Sequence, residues 1–138
     1  MNKYLTICFI MLSVFFSNCE KETETETDCT TVICTMEFRS IMIHIRRSTD
    51  NTPVILTSYK VLRTSDNKDI TMRDNDLTDN NGYYTIVNDS SEGLTINANT
   101  EVEFQGYINN TQVISRKFIV SEDCCHVSYV SGETTAFI

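Results

Sequence analysis

Apolar and polar residues alternate along much of this chain, and the alternation is that of β-strands with one buried face. The clearest case is the segment 101–108, where Val102, Phe104 and Ile108 alternate with acidic, amide and tyrosine side chains. No window carries the capped apolar stripe at three- and four-residue spacing that an amphipathic helix needs. The pattern therefore predicts an all-β domain.

Turn-forming residues separate the alternating segments. Clusters of Asn, Asp and Ser predict turns, because these side chains bond to their own backbone and tolerate left-handed conformations. Asn109 and Asn110 are expected to join two strands as a hairpin. Strands at short intervals without intervening helices indicate a single antiparallel β-sandwich of about seven strands. The predicted strands cover residues 35–47, 54–64, 70–73, 83–88, 101–108, 112–120, 126–130 and 134–138.

The first predicted strand changes the side on which its apolar residues lie. Three isoleucines from Ile41 to Ile45 share one side, whereas Met36 and Phe38 have the opposite parity. One strand buries both sets only if its register slips by one residue. We therefore predict a bulge near Arg39–Ser40.

Two further strands carry predicted core residues. Ile55, Tyr59 and Val61 have the same parity and are expected to share the buried face of the second strand. Tyr84 and Ile86 are expected to be core residues of the strand over 83–88.

The first residues of the chain have a different composition. Lys3 precedes a mostly apolar run of 13 residues at positions 4–16, and Cys19 follows a serine and an asparagine. This is the layout of a secretory signal, and the run is shorter than the ~20 residues that cross a bilayer. Phe16-Ser-Asn-Cys19 resembles a bacterial lipobox of the looser kind familiar among Bacteroidota lipoproteins, and the acids after Cys19 resemble their surface-export signal. We predict a cleaved lipoprotein signal peptide at residues 1–18 and acyl chains on Cys19, with an ordinary secretory signal and an unmodified Cys19 as the alternative.

The remaining chain divides into a tether and one domain. Residues 19–28 comprise the lipidated cysteine and an acidic Thr/Glu tether that has too few apolar side chains to fold. Residues 29–138 form the predicted sandwich, with 14 acidic and 9 basic side chains and a net charge of −5. Because phosphate binding needs clustered Lys and Arg, this balance argues against a nucleic-acid partner.

Four cysteines belong to the domain: Cys29, Cys34, Cys124 and Cys125. An even number in an exported domain predicts disulfides. A bond between the adjacent cysteines would be strained, so we favour the two pairings that join the start of the domain to its end, and spacing does not choose between them. Such a loop of about 90 residues contributes ~4.5 kcal/mol in the chain-entropy model. Zinc bound by these cysteines and His126 is the alternative, although adjacent ligands converge poorly on one ion and no CxxC is present.

Two segments resemble a known family. Asp123-Cys-Cys-His-Val-Ser-Tyr-Val-Ser-Gly132 resembles the ending of small Bacteroidota surface lipoproteins, and Asp79-Asn-Asn-Gly-Tyr-Tyr-Thr-Ile86 resembles the turn and strand of transthyretin-like, carboxypeptidase-regulatory-like domains. The resemblance covers about residues 29–138. It implies an immunoglobulin-like sandwich with Greek-key wiring, no catalytic residues, and an accessory or adhesive role in a surface system.

The acidic loop over 74–82 is the best cation candidate. Asp74, Asp76, Thr78 and Asn80 offer oxygen atoms at alternating positions, as calcium prefers. The sixth and twelfth positions lack the Gly and Glu of an EF-hand. We therefore expect a solvated turn and no metal, with calcium binding as the alternative.

Four tyrosines are candidates for a ligand platform: Tyr83, Tyr84, Tyr107 and Tyr129. Alternation places Tyr84 inward and Tyr107 outward. Tyr107 is thus expected to cover a sheet face, with contact to a glycan or a peptide as the alternative.

No catalytic constellation is present in the sequence, which lacks both GxSxG and HExxH. His44 and His126 have no recognisable partner, and His44 is expected to face solvent because it alternates with core isoleucines. Glu101 and Glu103 lie two apart on one strand face, which we expect to be a hydrated face and not an acid–base pair. We expect a protein without enzymatic activity or cofactor.

These patterns predict a lipid-anchored protein of the outer membrane, exposed at the cell surface, with a non-enzymatic binding, adhesive or structural role. Its expected partners are the membrane, through the N-terminal lipid, and a surface protein or glycan. The alternative function is that of an accessory glycan- or peptide-binding component of an outer-membrane uptake system.

Overall fold

The computed structural model describes residues 28–72 and 81–138. These ranges form eight strands and no helix. The predicted signal peptide, the lipid acceptor Cys19 and the tether up to residue 27 lie outside the described residues, as does the cation candidate over 73–80. The strands are β1 Ser40–Arg46, β2 Ser58–Arg63, β3 Lys68–Asp69, β4 Tyr83–Asn88, β5 Asn99–Ile108, β6 Thr111–Glu122, β7 Val127–Ser131 and β8 Thr135–Phe137.

The strands form two sheets that pack face to face, so the predicted β-sandwich is confirmed. The smaller sheet has the order β4-β1-β8 and the larger one the order β3-β2-β5-β6-β7. Neighbouring strands are antiparallel except β1 and β8, which run parallel. The chain passes from the edge of the large sheet to the small one between β7 and β8, and this crossing closes one side of the sandwich.

The core lies between the two inner faces. Apolar side chains alternate with outward polar ones along both sheets, so each sheet has one water-free face. Tyr59 packs on Phe104 with ring centroids 5.2 Å apart, and Tyr84 meets Tyr59 edge-on at 5.6 Å. Tyr84 and Ile86 are buried as predicted. The fully enclosed side chains include Phe104, Phe118, Ile43, Ile45, Ile86, Val61, Val102 and Val120.

The predicted hairpin joins β5 to β6, the longest pair in the fold. Asn109 and Asn110 have φ values of 50° and 65°. Both central residues of this turn thus lie in the left-handed region, which matches the right-handed twist of the flanking strands. Asparagine stands where most such turns have glycine. It tolerates this conformation because its side-chain amide forms hydrogen bonds with the nearby backbone.

The start of the first strand is a correction to the sequence analysis. The predicted strand began at residue 35, whereas β1 begins at Ser40. The register with β4 shifts between Ile41 and Met42 instead of near Arg39–Ser40, and the extra residue, Ile86, belongs to β4. Met36 and Phe38 are not buried by a register slip but are exposed. The parity argument assumed a continuous strand, and the preceding residues have no strand partner within the described chain.

The second strand also differs from its prediction. β2 begins at Ser58, and the preceding residues approach the small sheet through an isolated bridge between Arg46 and Pro53. This bend changes parity, so Val54 and Leu56 are buried while Ile55 is exposed. Tyr59 and Val61 are buried as expected.

Replacing Phe104 with Ala is expected to lower the free energy of unfolding by about 3–5 kcal/mol, because it empties a fully enclosed site. Phe137→Ala is the matched control, since that ring is 53% exposed and its loss should cost less than about 1 kcal/mol. Urea unfolding of the oxidised protein measures both, and equal costs would contradict the assigned core.

Candidate functional site

The cysteines join the entering segment, which we define as residues 28–39 before β1, to the corner between β6 and β7. Cys29 is bonded to Cys124 and Cys34 to Cys125, with sequence separations of 95 and 91 residues. This is one of the two pairings that the sequence left open. Because all four sulfur atoms are in disulfides, none of them is present as a thiolate that could bind zinc.

A buried hydrogen-bonded array lies beside these disulfides. The Nδ1 atom of His126 is 2.8 Å from Oδ2 of Asp89, and its Nε2 atom is 2.9 Å from the hydroxyl of Thr35. The side chains of His126 and Asp89 are only 9% and 8% exposed. The sequence analysis gave His126 no partner, and the structure corrects this.

Asp89 is the centre of the array. Besides His126, it accepts hydrogen bonds from the backbone N–H groups of Arg39 at 2.7 Å and Val127 at 2.8 Å. It thereby connects the approach to β1, the end of β4 and the start of β7. Asp123 fixes the corner itself, since its Oδ1 accepts from the backbone N–H groups of Cys125 and His126.

The pKa values of the carboxyl groups at this corner are not all shifted in the same direction. Burial acts to raise the pKa of Asp89, but the bonds from Arg39, His126 and Val127 outweigh it, and the pKa lies below its ordinary value. The backbone bonds from Cys125 and His126 lower the pKa of Asp123. Burial and the nearby charges of Asp123 and Asp89 raise the pKa of Glu122.

The order Asp89–His126–Thr35 is that of an acyl-transfer triad. The other hydrogen bonds of Asp89 nevertheless favour a structural role, in which the array holds chain segments together. In a triad the carboxylate orients the imidazole for a nucleophile. Here the carboxylate also bonds to the backbone of two other segments. The Thr35 hydroxyl can act as donor or acceptor towards the imidazole. The array can therefore hold three segments together.

A shallow cleft of about 410 Å³ opens next to the array. Val32 and Ile33 of the entering segment line one side, and Asn97 and the two corner cysteines line the other. A second groove, of about 540 Å³, runs between Phe38 and Tyr129 of β7. Both depressions are bordered by the entering segment, which gives this end of the domain its exposed apolar character.

The predicted tyrosine platform does not form. Tyr84 is buried, where its hydroxyl donates to Val54 and accepts from the N–H of Leu56, and burial raises its pKa. Tyr107 is half-buried and donates to Gln105 at 2.8 Å. Tyr129 is exposed on β7. The tyrosines are therefore distributed over the core and separate surfaces.

The outer face of the small sheet carries an aromatic pair that the sequence analysis did not single out as a pair. His44 lies opposite Tyr83 in the register of β1 and β4, and their rings stack with centroids 4.0 Å apart and an interplanar angle of 12°. Tyr83 is 46% exposed. His44 faces outward as expected, although the stacked ring covers it in part. Phe137 lies opposite Arg46 on the same face.

The two glutamates of β5 are engaged as surface groups. Glu101 pairs with Lys117 of β6 at 2.9 Å, and this bond lowers the pKa of Glu101. Glu103 accepts a hydrogen bond from Ser115. A carboxyl group with a lowered pKa is a poor proton donor, which agrees with the hydrated face that the sequence predicted.

Residues 28–72 and 81–138 contain no group of three or more His, Cys, Asp or Glu side chains placed to hold a metal ion. Nor does that part of the chain contain a helix long and apolar enough to span a bilayer.

No protein-family model, curated protein or solved structure matches the chain. The resemblance to surface lipoproteins and transthyretin-like domains therefore stays a prediction. The function has to be argued from the structure itself.

Replacing Asp89 with Asn is expected to lower the free energy of unfolding at pH 7 by about 1.5–3 kcal/mol, the cost of losing hydrogen bonds to a charged group. Because the folded-state pKa of Asp89 is lowered, its stabilisation is complete above the unfolded pKa of about 4 and is lost as the pH falls through the folded pKa. The variant should therefore show a shallower loss of stability below pH ~4.

Urea unfolding between pH 2.5 and 7 measures this effect. Glu133→Gln is the control, since it removes an acidic side chain that is 79% exposed and lies 3.8 Å from the guanidinium of Arg116. An unchanged acid profile in the Asp89 variant would show that the array does not stabilise the corner.

Proposed function

We propose that this protein is a lipid-anchored module of the bacterial cell surface, with a non-enzymatic binding, adhesive or structural role. The supporting observation is the position of the disulfides. Both lie where the tether from Cys19 enters the domain, so a pull on the tether is transmitted first to covalent bonds. Disulfides also belong to oxidising compartments, which is consistent with export.

The form of the domain suits the display of a binding surface at the membrane better than it suits catalysis. The sandwich is rigid, with an enclosed apolar core, and its one buried histidine array fastens segments together. A tether of nine residues between Cys19 and Cys29 holds the domain close to the membrane surface. Stable anchoring takes two acyl chains or more, which an acylated N-terminal cysteine supplies.

The proposed anchor is tested by feeding the producing bacterium an alkyne-bearing fatty acid. The protein is expected to incorporate the label and to partition with membranes, and Cys19→Ser should abolish both. Cys8→Ser is the matched control, because it changes a cysteine of the leader and should leave the label in place. A native protein of unchanged precursor mass, or one without label, would refute the anchor.

The accessory role in ligand uptake is a second candidate, favoured by the outer face of the small sheet. Tyr83 stacked on His44 and the exposed Phe137 lie on the same outer face of this sheet. Flat rings of this kind contact the apolar faces of sugars or planar side chains. The proposed ligand is a neutral glycan or an extended peptide.

Tyr83→Ala is expected to weaken binding of such a ligand by about tenfold, equivalent to roughly 1.4 kcal/mol for one lost ring contact. Tyr129→Ala, a similarly exposed tyrosine on β7, should leave binding unchanged. A panel of neutral oligosaccharides and peptides, measured by calorimetry, identifies the ligand. Binding that Tyr83→Ala does not alter would exclude this face.

A further inference from the structure

The entering segment carries apolar side chains that the domain does not bury. Val32, Ile33, Met36 and Phe38 lie within seven consecutive residues, and we call them the entry patch. They are 47%, 96%, 105% and 63% exposed. Values near 100% mean that Ile33 and Met36 project beyond the surface and have almost no contact with their own chain. Contiguous exposed apolar groups of this kind mark interaction sites.

The exposure is built into the fold. Cys34, in the middle of the patch, is bonded to Cys125, and Cys29 just before it is bonded to Cys124. At the other end, the N–H of Arg39 donates to the buried carboxylate of Asp89. With both ends fixed, the segment cannot turn its apolar side chains into the core.

The charge of the entry patch is compensated. The only ionisable side chain between residues 32 and 38 is Glu37, and it is 3.0 Å from the guanidinium of Arg39. Transfer of the patch to a medium of low polarity therefore does not bury an unpaired charge.

We propose that the entry patch inserts into the interfacial region of the membrane that holds the acyl chains of Cys19, and this inference rests on the proposed anchor. Ten peptide steps separate Cys19 from Cys29, so even a fully extended tether spans at most about 35 Å. The patch is the first part of the folded domain that the tether reaches. Met36, the most exposed of the four side chains, lines neither of the two depressions and projects from the surface, as suits insertion into a deformable lipid phase.

Insertion would convert a loosely tethered domain into one with a fixed orientation. The disulfide corner would face the lipid, and the opposite end of the sandwich would face outward. Because β1 runs away from the patch, Phe137 beside Arg46 lies seven or more strand residues from it, a distance of roughly 25 Å. The aromatic face around Tyr83 would then remain in solvent.

The chain contains no tryptophan, which gives a clean test. Met36→Trp places a single fluorophore in the patch, and Phe137→Trp places one at the far end. The mature chain is coupled through the thiol of Cys19 to a maleimide lipid in phosphatidylcholine vesicles containing brominated lipid. This coupling holds the domain at the vesicle whether or not the cell acylates Cys19, so failure of the anchor and failure of insertion are measured separately.

The Met36→Trp protein is expected to show a blue-shifted emission and about threefold or more stronger bromine quenching than Phe137→Trp, since interfacial side chains lie roughly 5–10 Å deep. Adding Ile33→Ser and Phe38→Ser should return the quenching to the level of Phe137→Trp. These residues are exposed, so circular dichroism should show an unchanged fold. Equal quenching of the two fluorophores would overturn the proposal, and so would photocrosslinking in cells that joins residue 36 to a protein instead of to lipid.

Discussion

The covalent closure of the corner between β6 and β7 is the constraint on which the N-terminal end of this domain depends. Within the described residues, strand pairing starts at Ser40, so the twelve residues before it, 28–39, have no ladder to hold them. The first disulfide to form closes a loop of more than 90 residues and restricts the unfolded chain. The second then closes a ring of only a few residues around Cys29, Cys34 and the adjacent corner cysteines. It adds little further restriction to the unfolded chain and mainly fixes the orientation of the segment.

The polar array and the disulfides stabilise the same corner by independent means. The disulfides lower the conformational entropy of the unfolded chain, whereas the buried carboxylate of Asp89 forms hydrogen bonds with three donors. The apolar core of the sandwich lies beyond this corner and comes from alternation in both sheets. Reduction and acid should therefore weaken the entry of the chain before the two sheets separate. In the proposed anchored form, this covalently closed corner is the part of the domain that carries the mechanical load.

Much of the fold could be predicted from the sequence, because alternation over segments such as 101–108 has only one structural solution. The parity of β2 was misjudged at Ile55, since a bend before Ser58 shifts the pattern by one residue and leaves no local mark. The exposed position of Met36 and Phe38 was likewise hidden. Apolar residues in a strand-like sequence predict burial, and the disulfide that prevents it joins residues 91 positions apart.

The site was less accessible to sequence reasoning than the fold. His126 meets Asp89 and Thr35 across separations of 37 and 91 residues, and no local motif links them. Only the topology brings the end of β4 beside the start of β7. The stacking of Tyr83 on His44 depends in the same way on the register between two strands. A signal was present in each case as a polar or aromatic residue at a strand end, but its partner could not be named.

The long separation of the bonded cysteines has a consequence for biogenesis. A polypeptide exported from its N-terminus presents Cys29 and Cys34 to the oxidising compartment well before Cys124 and Cys125 arrive. The two early thiols are five residues apart and can oxidise with each other while they wait. Reaching the native bonds from that state requires thiol–disulfide exchange through a mixed disulfide. For the proposed exported protein, maturation of this small domain is thus coupled to the capacity of the receiving compartment to isomerise disulfides.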